Sequence, residues 1–359
     1  MGSESMFSEG ILEHLQETKV VDFLDELEIP AYIVDKNRRI VFWNKQATKL
    51  TGYEAKEVVG KFCAEQVLNH VDRTGIPVCK TELCPLYQSI KNGIPVQVPF
   101  AVYGLTKSGR RRPFSIVGLP IKKDNEVLGA IELFTDAEKM DADMSLAIRI
   151  QESFVPQNTE NIEFFYRPST GLGGDMIYYN PPWVGIIDIS GHGIAAALVS
   201  MLIRTTLDTI IAFDPPLQGL PFLLENELKK FRLQSIYLTG IIGQLSEGVY
   251  RFVNMGHPSP INVTKKTLIE TKNVIPVGFG FSEEYDESVI NTHNLNDGNL
   301  LLYTDGLTEM KTKSGMLTSQ GLLDILSPND TTSTIYLKTL HLRASGLQED
   351  DITMILFKK

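Results

Sequence analysis

The sequence predicts an α+β protein of two domains joined by a helix, and three observations carry that expectation. Strand-like and helix-like runs come in blocks rather than in strict alternation, which favours layered sheets flanked by helices over a doubly wound sheet. The 359 residues exceed the usual size of a single core and fit about two. Between residues 136 and 157 there is no glycine, and the only proline is Pro156. The expected organisation is therefore an N-terminal helical segment over 1–19, an antiparallel sheet with helices over 20–135, a helical linker over 136–157, and a second α+β domain over 158–359.

Composition removes several functions. A net charge of −10 argues against a general nucleic-acid binder. The basic cluster Lys107, Arg110, Arg111 and Arg112 sits in an expected hairpin turn and reads as solvated. The longest apolar run, 193–203, stops at Arg204 and is too short to span a bilayer. The N-terminus lacks a basic-then-apolar leader, so a cytoplasmic protein with no membrane partner is expected. Three cysteines, all between positions 63 and 84, do not make a secreted disulfide framework.

In the first domain an amphipathic start (11–27) precedes strands expected at 31–34 and 40–43. Short helices follow at 45–50, 54–59 and 84–91, then three long strands at 96–106, 112–122 and 127–135. The runs Ile29-Pro30-Ala31-Tyr32-Ile33-Val34-Asp35, Ile40-Val41-Phe42-Trp43-Asn44 and Thr51-Gly52-Tyr53 resemble the opening of a PAS domain, and the resemblance covers most of 20–135. Such domains bind signals or cofactors, or dimerise, so the fold alone assigns no ligand. Cys63, Cys79 and Cys84, with His70 between the first two, leave several readings open. Thiolates and an imidazole can hold zinc or an iron–sulfur cluster, two thiols can form a redox disulfide, and buried cysteine is also an ordinary apolar residue. Contact with another ligand is a further reading. The segment from His70-Val71-Asp72 to Cys84-Pro85-Leu86 is similar to a cysteine-bearing subgroup of PAS domains.

In the linker, Met140, Met144, Ala147, Gln151 and Phe154 form one helical seam interrupted by a polar glutamine. The seam fits either a helix packed on its own domain or a dimeric signalling helix, and a homodimer through the first domain and this helix is expected.

The second domain holds four acidic patches: Gly173-Gly174-Asp175, Asp188 in Asp188-Ile189-Ser190-Gly191-His192-Gly193, Tyr303-Thr304-Asp305-Gly306, and Glu349-Asp350-Asp351-Ile352-Thr353. Singly, acids at strand ends are turn formers. Four of them, fused to apolar strands, can converge at one end of a sandwich as an oxygen cage for Mg²⁺ or Mn²⁺, and their repulsion is relieved only by a cation.

This ordered set resembles the metal-dependent protein phosphatases of the PPM class, of the bacterial SpoIIE/RsbU type. Asn254-Met255-Gly256-His257-Pro258 and Pro276-Val277-Gly278 belong to the same pattern, and the resemblance runs through nearly all of 147–359. It implies an α/β-β/α sandwich with two Mn²⁺ or Mg²⁺ ions. Asp188 would bridge them, the backbone carbonyl of Ile189 would bind one, Asp305 and Asp350 would hold the second, and Asp175 would sit in the same shell. The pattern departs at Tyr178, where the family usually has a further acid.

Two such ions would ionise a bridging water near neutral pH and clamp a phosphoryl group. His192 is the candidate proton donor to the departing oxygen, with a water or a structural histidine as alternatives, and His257 reads as structural. The implied function is a sensor-regulated phosphoserine/phosphothreonine protein phosphatase. Its implied substrate is a phosphorylated STAS-type anti-anti-sigma protein in a partner-switching pathway. A non-catalytic binding switch and a hydrolase of small phosphoesters are the competing readings.

Overall fold

The structure, a computed structural model, describes residues 3–359 apart from 80, 82, 99, 170, 192, 232–235, 282–283, 314, 345–347 and 349, and apart from the side chains of 3–9, 65 and 66. The chain divides into two units, Met1–Ser145 and Leu146–Lys359.

The first unit opens with helices α1 (Ser3–Thr18) and α2 (Val20–Glu26), then strands β1 (Ala31–Asp35) and β2 (Ile40–Trp43). Helices α3 (Lys45–Thr51), α4 (Ala55–Val58), α5 (Cys63–Gln66) and α6 (Pro85–Asn92) lead to strands β3 (Val96–Gln97), β4 (Val102–Leu105), β5 (Arg111–Lys123) and β6 (Glu126–Asp136). The sheet is antiparallel in the order β2-β1-β6-β5-β3, with β4 also on β5. Every residue of β1 is buried. Tyr32 and Val34 face the core under the helices, while Ala31 and Ile33 face Ile11, Leu15 and Leu24. The segment over 1–19 is thus not a free extension: α1 covers the second face of the sheet, and each fully buried Ile or Leu there contributes ~1.5–3 kcal/mol.

Asn44 locks this arrangement. Its carboxamide oxygen accepts from Ala31 and Ala47 backbone N–H groups, and its nitrogen donates to the carbonyls of Leu24 and Ile29. The single strand expected over 96–106 is two short ones, β3 and β4. Pro99, which lies outside the described residues, has no N–H for the ladder.

Helix α7 (Glu138–Glu152) straddles the division between the units, which falls inside the linker predicted over 136–157. The middle of the expected seam is its covered part, with Met144 and Ala147 half-buried, while Phe154 at its end is exposed. Gln151 is buried, whereas Met140, Leu146 and Ile150 are exposed.

The second unit contains β7 (Ile162–Arg167), β8 (Met176–Asn180), β9 (Trp183–Ile189), α8 (Ile194–Ile211), α9 (Leu220–Lys230), β10 (Leu238–Ser246), β11 (Val249–Met255), β12 (Ile261–Asn262), β13 (Thr267–Leu268) and β14 (Asn291–Asn294). After β15 (Leu300–Tyr303) come the small hairpin β16 (Lys311–Thr312) and β17 (Gly315–Met316), helices α10 (Thr318–Ile325) and α11 (Thr332–Leu342), and β18 (Ile352–Phe357). Two five-stranded antiparallel sheets, β14-β11-β10-β9-β8 and β13-β12-β15-β18-β7, pack face to face. Ile186, Ile241 and Phe252 of one interlock with Phe164, Leu302 and Ile355 of the other. Helices α8 and α9 cover the outer face of the first sheet, and α10 and α11 that of the second. This is the layered sandwich the sequence predicts.

Among the described residues, α8 is the one helix long and apolar enough to cross a membrane by length and composition, because it continues past Arg204, where the apolar run 193–203 ends. Half of it is buried in the unit, and Ile203 and Leu207 pack against the first sheet.

Candidate metal centre

Residues 183–187 of β9 are buried, which fixes the strand, and the register pairs Asp188 with Thr239 of β10. Beyond it, Ser190 N–H donates to the Tyr237 carbonyl at 2.9 Å, and Tyr237 N–H donates to Ser190 Oγ at 3.0 Å. The strand is thereby held to its last residue before the turn into α8.

In the other sheet, Asp305 opens a 3₁₀ turn after β15, and Asp350 lies two residues before β18. These strands are antiparallel neighbours with Tyr303 opposite Met354, so the two acids arise at one end of one strand pair. Position 306 must be glycine, because a Cβ there would lie 2.0 Å from the carbonyl oxygen of Asp351.

The acids meet. Asp188 and Asp305 share a side-chain hydrogen bond. Burial, then the charges of Asp305, Asp350 and Asp351, push the Asp188 carboxyl up to about 8. Asp305 is raised by burial and then by Asp350 and Glu309. Asp175 is buried and raised by burial, with Asp188 and Asp351 adding to it. Its Oδ2 accepts from the hydroxyls of Thr304 at 2.8 Å and Thr353 at 2.6 Å. All four predicted aspartates therefore belong to one electrostatic cluster. Among the described residues no group of three or more Asp, Glu, His or Cys side chains is placed so that it could hold a metal ion. Carboxylates without a cation between them lower their repulsion by sharing protons instead.

Two residues with a part in this site were not assigned to it by the sequence. Asp351, beside Asp350, accepts from Ser169 N–H and Gly174 N–H, both at 2.7 Å, and so fastens the loop that presents Asp175. Gln151 of α7 donates to the Gly173 carbonyl at 2.7 Å and accepts from Gly173 N–H at 3.1 Å. Next to it, a Cβ on Gly174 would sit 2.8 Å from the carbonyl oxygen of Ile189, so the loop rests directly on the backbone of the Asp188 turn.

His192 and Glu349 lie outside the described residues. His257 is buried, with Nδ1 2.9 Å from the Thr239 hydroxyl, and burial lowers its pKa to about 3. It supports the strand opposite Asp188, in line with the structural reading. Tyr178 turns into the core and donates to Asp208 at 2.8 Å.

In the first unit Cys63, Cys79 and Cys84 are buried and free. Burial pushes Cys79 up to about 12 and raises the other two. Burial thus favours their neutral thiol form. His70 lies with them, its backbone N–H donating to Cys79 Sγ at 3.2 Å.

Comparison with known proteins adds the following. Residues 182–359 match the family model of stage II sporulation protein E (SpoIIE), and residues 29–139 match that of the PAS domain. The phosphoserine phosphatase RsbP of Bacillus subtilis (strain 168) is 29% identical over 192 residues, covering 46% of this chain and 45% of RsbP. The match thus spans less than half the length of that relative. The phosphoserine phosphatase RsbU of the same organism is 21% identical over 245 residues, covering 62% of this chain and 71% of RsbU. The SiaA-PP2C domain of Pseudomonas aeruginosa superposes with a TM-score of 0.52 at 17% identity, over 62% of this chain and 96% of that one, which is a likeness of fold.

Proposed function

Residues 29–139 are a PAS domain and residues 182–359 a SpoIIE-type phosphatase domain, and from that premise we propose that the chain is a sensor-controlled, metal-dependent phosphoserine/phosphothreonine protein phosphatase. The observation that carries the reading is the shared electrostatic cluster of Asp188, Asp305 and Asp350, which arrive from the ends of strands in two different sheets. A binding module gains nothing from gathering carboxylates that repel one another. The donor set, all oxygen and all acidic, fits hard divalent ions such as Mn²⁺ or Mg²⁺.

Asp188, Asp305 and Asp350 would hold the ions, with the Ile189 carbonyl and Asp175 beside them. Such ions supply an ionised water near neutral pH and neutralise the phosphoryl oxygens. The remaining work falls to the chain itself. Thr304 and Thr353 orient Asp175 through their hydroxyls, and Asp351 pins the Gly174 loop over the Asp188 turn. To His192, four residues after Asp188, we assign the proton for the departing serine oxygen. Its signature is a leaving-group effect. His192→Ala should slow hydrolysis of a phosphoserine protein ~10²-fold or more, yet spare p-nitrophenyl phosphate, whose phenolate needs no proton. Equal losses on both substrates would remove that role.

The substrate proposed on the family resemblance is a phosphorylated STAS-type anti-anti-sigma protein of a partner-switching pathway, and the names of RsbP and RsbU as phosphoserine phosphatases support its phosphoserine part. Dimerisation through the PAS domain and α7 belongs to the same proposal. The test is hydrolysis of p-nitrophenyl phosphate with Mn²⁺, abolished by EDTA and by Asp188→Asn, followed by comparison of phosphoprotein with free phosphoserine. No turnover in any metal would leave a partner-binding switch. Preference for free phosphoserine would make it a small-phosphoester hydrolase.

A further inference from the structure

The interior of the PAS domain contains polar groups that the phosphatase reading does not use. His70 and Glu132 are 4% and 1% exposed, with His70 Nε2 3.9 Å from Glu132 Oε1. His70 Nε2 and Glu132 Oε2 are both buried without a hydrogen-bond partner. An unpartnered buried polar atom costs ~1–3 kcal/mol, and here two lie in one place. The remaining carboxylate oxygen, Oε1, accepts from the Tyr32 hydroxyl at 2.9 Å, which fixes the orientation of Glu132. Cys79 Sγ touches the His70 backbone, and all three thiols feel the charge of Glu132.

The backbone is strained where it delivers the imidazole. Leu68 and Asn69 adopt φ of 28° and 40°, and Leu68 is fully buried. On the other side of His70, Val71 exchanges backbone hydrogen bonds with Tyr103, and the His70 carbonyl accepts from Val78 N–H. Strain of this kind persists where surrounding contacts impose it, and it gathers at ligand clamps.

We propose that this cluster is a site for one thiophilic divalent transition-metal ion of the zinc class, held by four donors: His70 Nε2, Glu132 Oε2, Cys79 Sγ and the sulfur of one neighbour, Cys63 or Cys84. The donor chemistry singles out such an ion. Imidazole nitrogen, carboxylate oxygen and thiolate sulfur are all lone-pair donors, and zinc accepts this mixture. Without a cation each group is held in its uncharged form by burial: Glu132 is raised to about 8, His70 lowered to about 4, and the thiols raised. Arg38, bonded to Cys84, favours the thiolates, but burial outweighs it. A divalent ion reverses the balance for all of them at once and releases their protons. Among the described residues no three His, Cys, Asp or Glu side chains stand close enough to hold a metal ion, so these donors would have to move together to bind one. Cys79 Sγ accepts the His70 N–H, and side-chain rotation would have to accompany loss of the thiol protons. Glu132 and Tyr32 are the part of this site that the cysteine spacing did not reveal.

The test uses the full-length chain, stripped with chelator and titrated with Co²⁺ without oxygen. One Co²⁺ per chain should produce thiolate-to-cobalt charge-transfer absorption together with ligand-field bands, and Zn²⁺ should displace both. The acidic site of the other domain contains no sulfur and cannot give the charge-transfer band. Cys79→Ser and His70→Ala should remove the band. Tyr32→Phe, which only releases Glu132, should weaken Co²⁺ binding roughly 10- to 100-fold. Absence of the band in the unsubstituted chain, or its persistence in Cys79→Ser, would overturn the proposal in favour of a Glu132–His70 pair sharing a proton. Acid-labile sulfide in the protein as isolated would overturn it in favour of a cluster. The unsubstituted spectrum decides even if a variant fails to fold.

Discussion

Asp188 takes up a proton on folding when no cation is present, since its carboxyl moves from 3.8 to about 8. A raised acid pKa makes the folded state bind more protons than the unfolded one, so stability falls as pH rises between those two values. Asp305, Asp175 and Asp351 shift in the same direction and add to the effect. The metal-free protein should therefore melt at a higher temperature near pH 5 than near pH 8, and Mn²⁺ should restore most of the difference at pH 8. Asp188→Asn should raise the metal-free melting temperature at pH 8, by about 1–3 kcal/mol of stability, while abolishing both the Mn²⁺ response and turnover. Melting curves at two pH values, with and without Mn²⁺, check this, and a flat pH dependence would contradict it. At the same scale, Gly174→Ala pushes a methyl group against the Ile189 carbonyl. It should cost ~1–3 kcal/mol and lower activity more than a surface Gly→Ala change, as paired unfolding and rate measurements would record.

Among the elements, α7 is the one whose sequence pattern gave the buried face but not what that face holds. Spacing placed Gln151 in an apolar seam, yet its carboxamide is committed to both backbone groups of Gly173, beside the loop that carries Asp175. Periodicity reports which residues share a face, not which face meets a neighbour. Gln151→Ala leaves a buried N–H and carbonyl without partners, so a loss of ~1–3 kcal/mol is expected, with a higher Mn²⁺ requirement for turnover. A Mn²⁺ titration of activity that is unchanged by the substitution would show that the clamp does not influence the acids. Strand β2 runs over the residues its pattern gave, 40–43, because it is an apolar run with a clear stop at Asn44. The short pieces β13, β14, β16 and β17 carry too few apolar residues to register, and α5 is one turn long.

For the whole molecule, control by the PAS domain is the part of the proposed function open to a direct test. If the proposed dimer forms through the PAS domain, a chain beginning at Asp136 should be monomeric and shift its Mn²⁺ requirement by roughly tenfold, within the usual range of coupling between sites. Light scattering and the same Mn²⁺ titration measure both. If oligomeric state, metal affinity and activity all match those of the full chain, the sensor does not govern the phosphatase. Stability of each unit rests on its own cores. In the PAS unit α1 closes the second face of the sheet, a role the sequence could not assign because an amphipathic helix does not state its partner.

The sequence by itself determined the two domains, most strand and helix positions, and the acids at strand ends, since these are written in local periodicity and in side-chain chemistry. Only the tertiary structure decided that Asp351 and Gln151 fasten the loop before Asp175, and that Glu132 and Tyr32 close on His70. Tyr32 and Glu132 are 100 positions apart and meet across β1 and β6. Contacts of that range are set by strand register and two-sided burial, which no window along the chain contains.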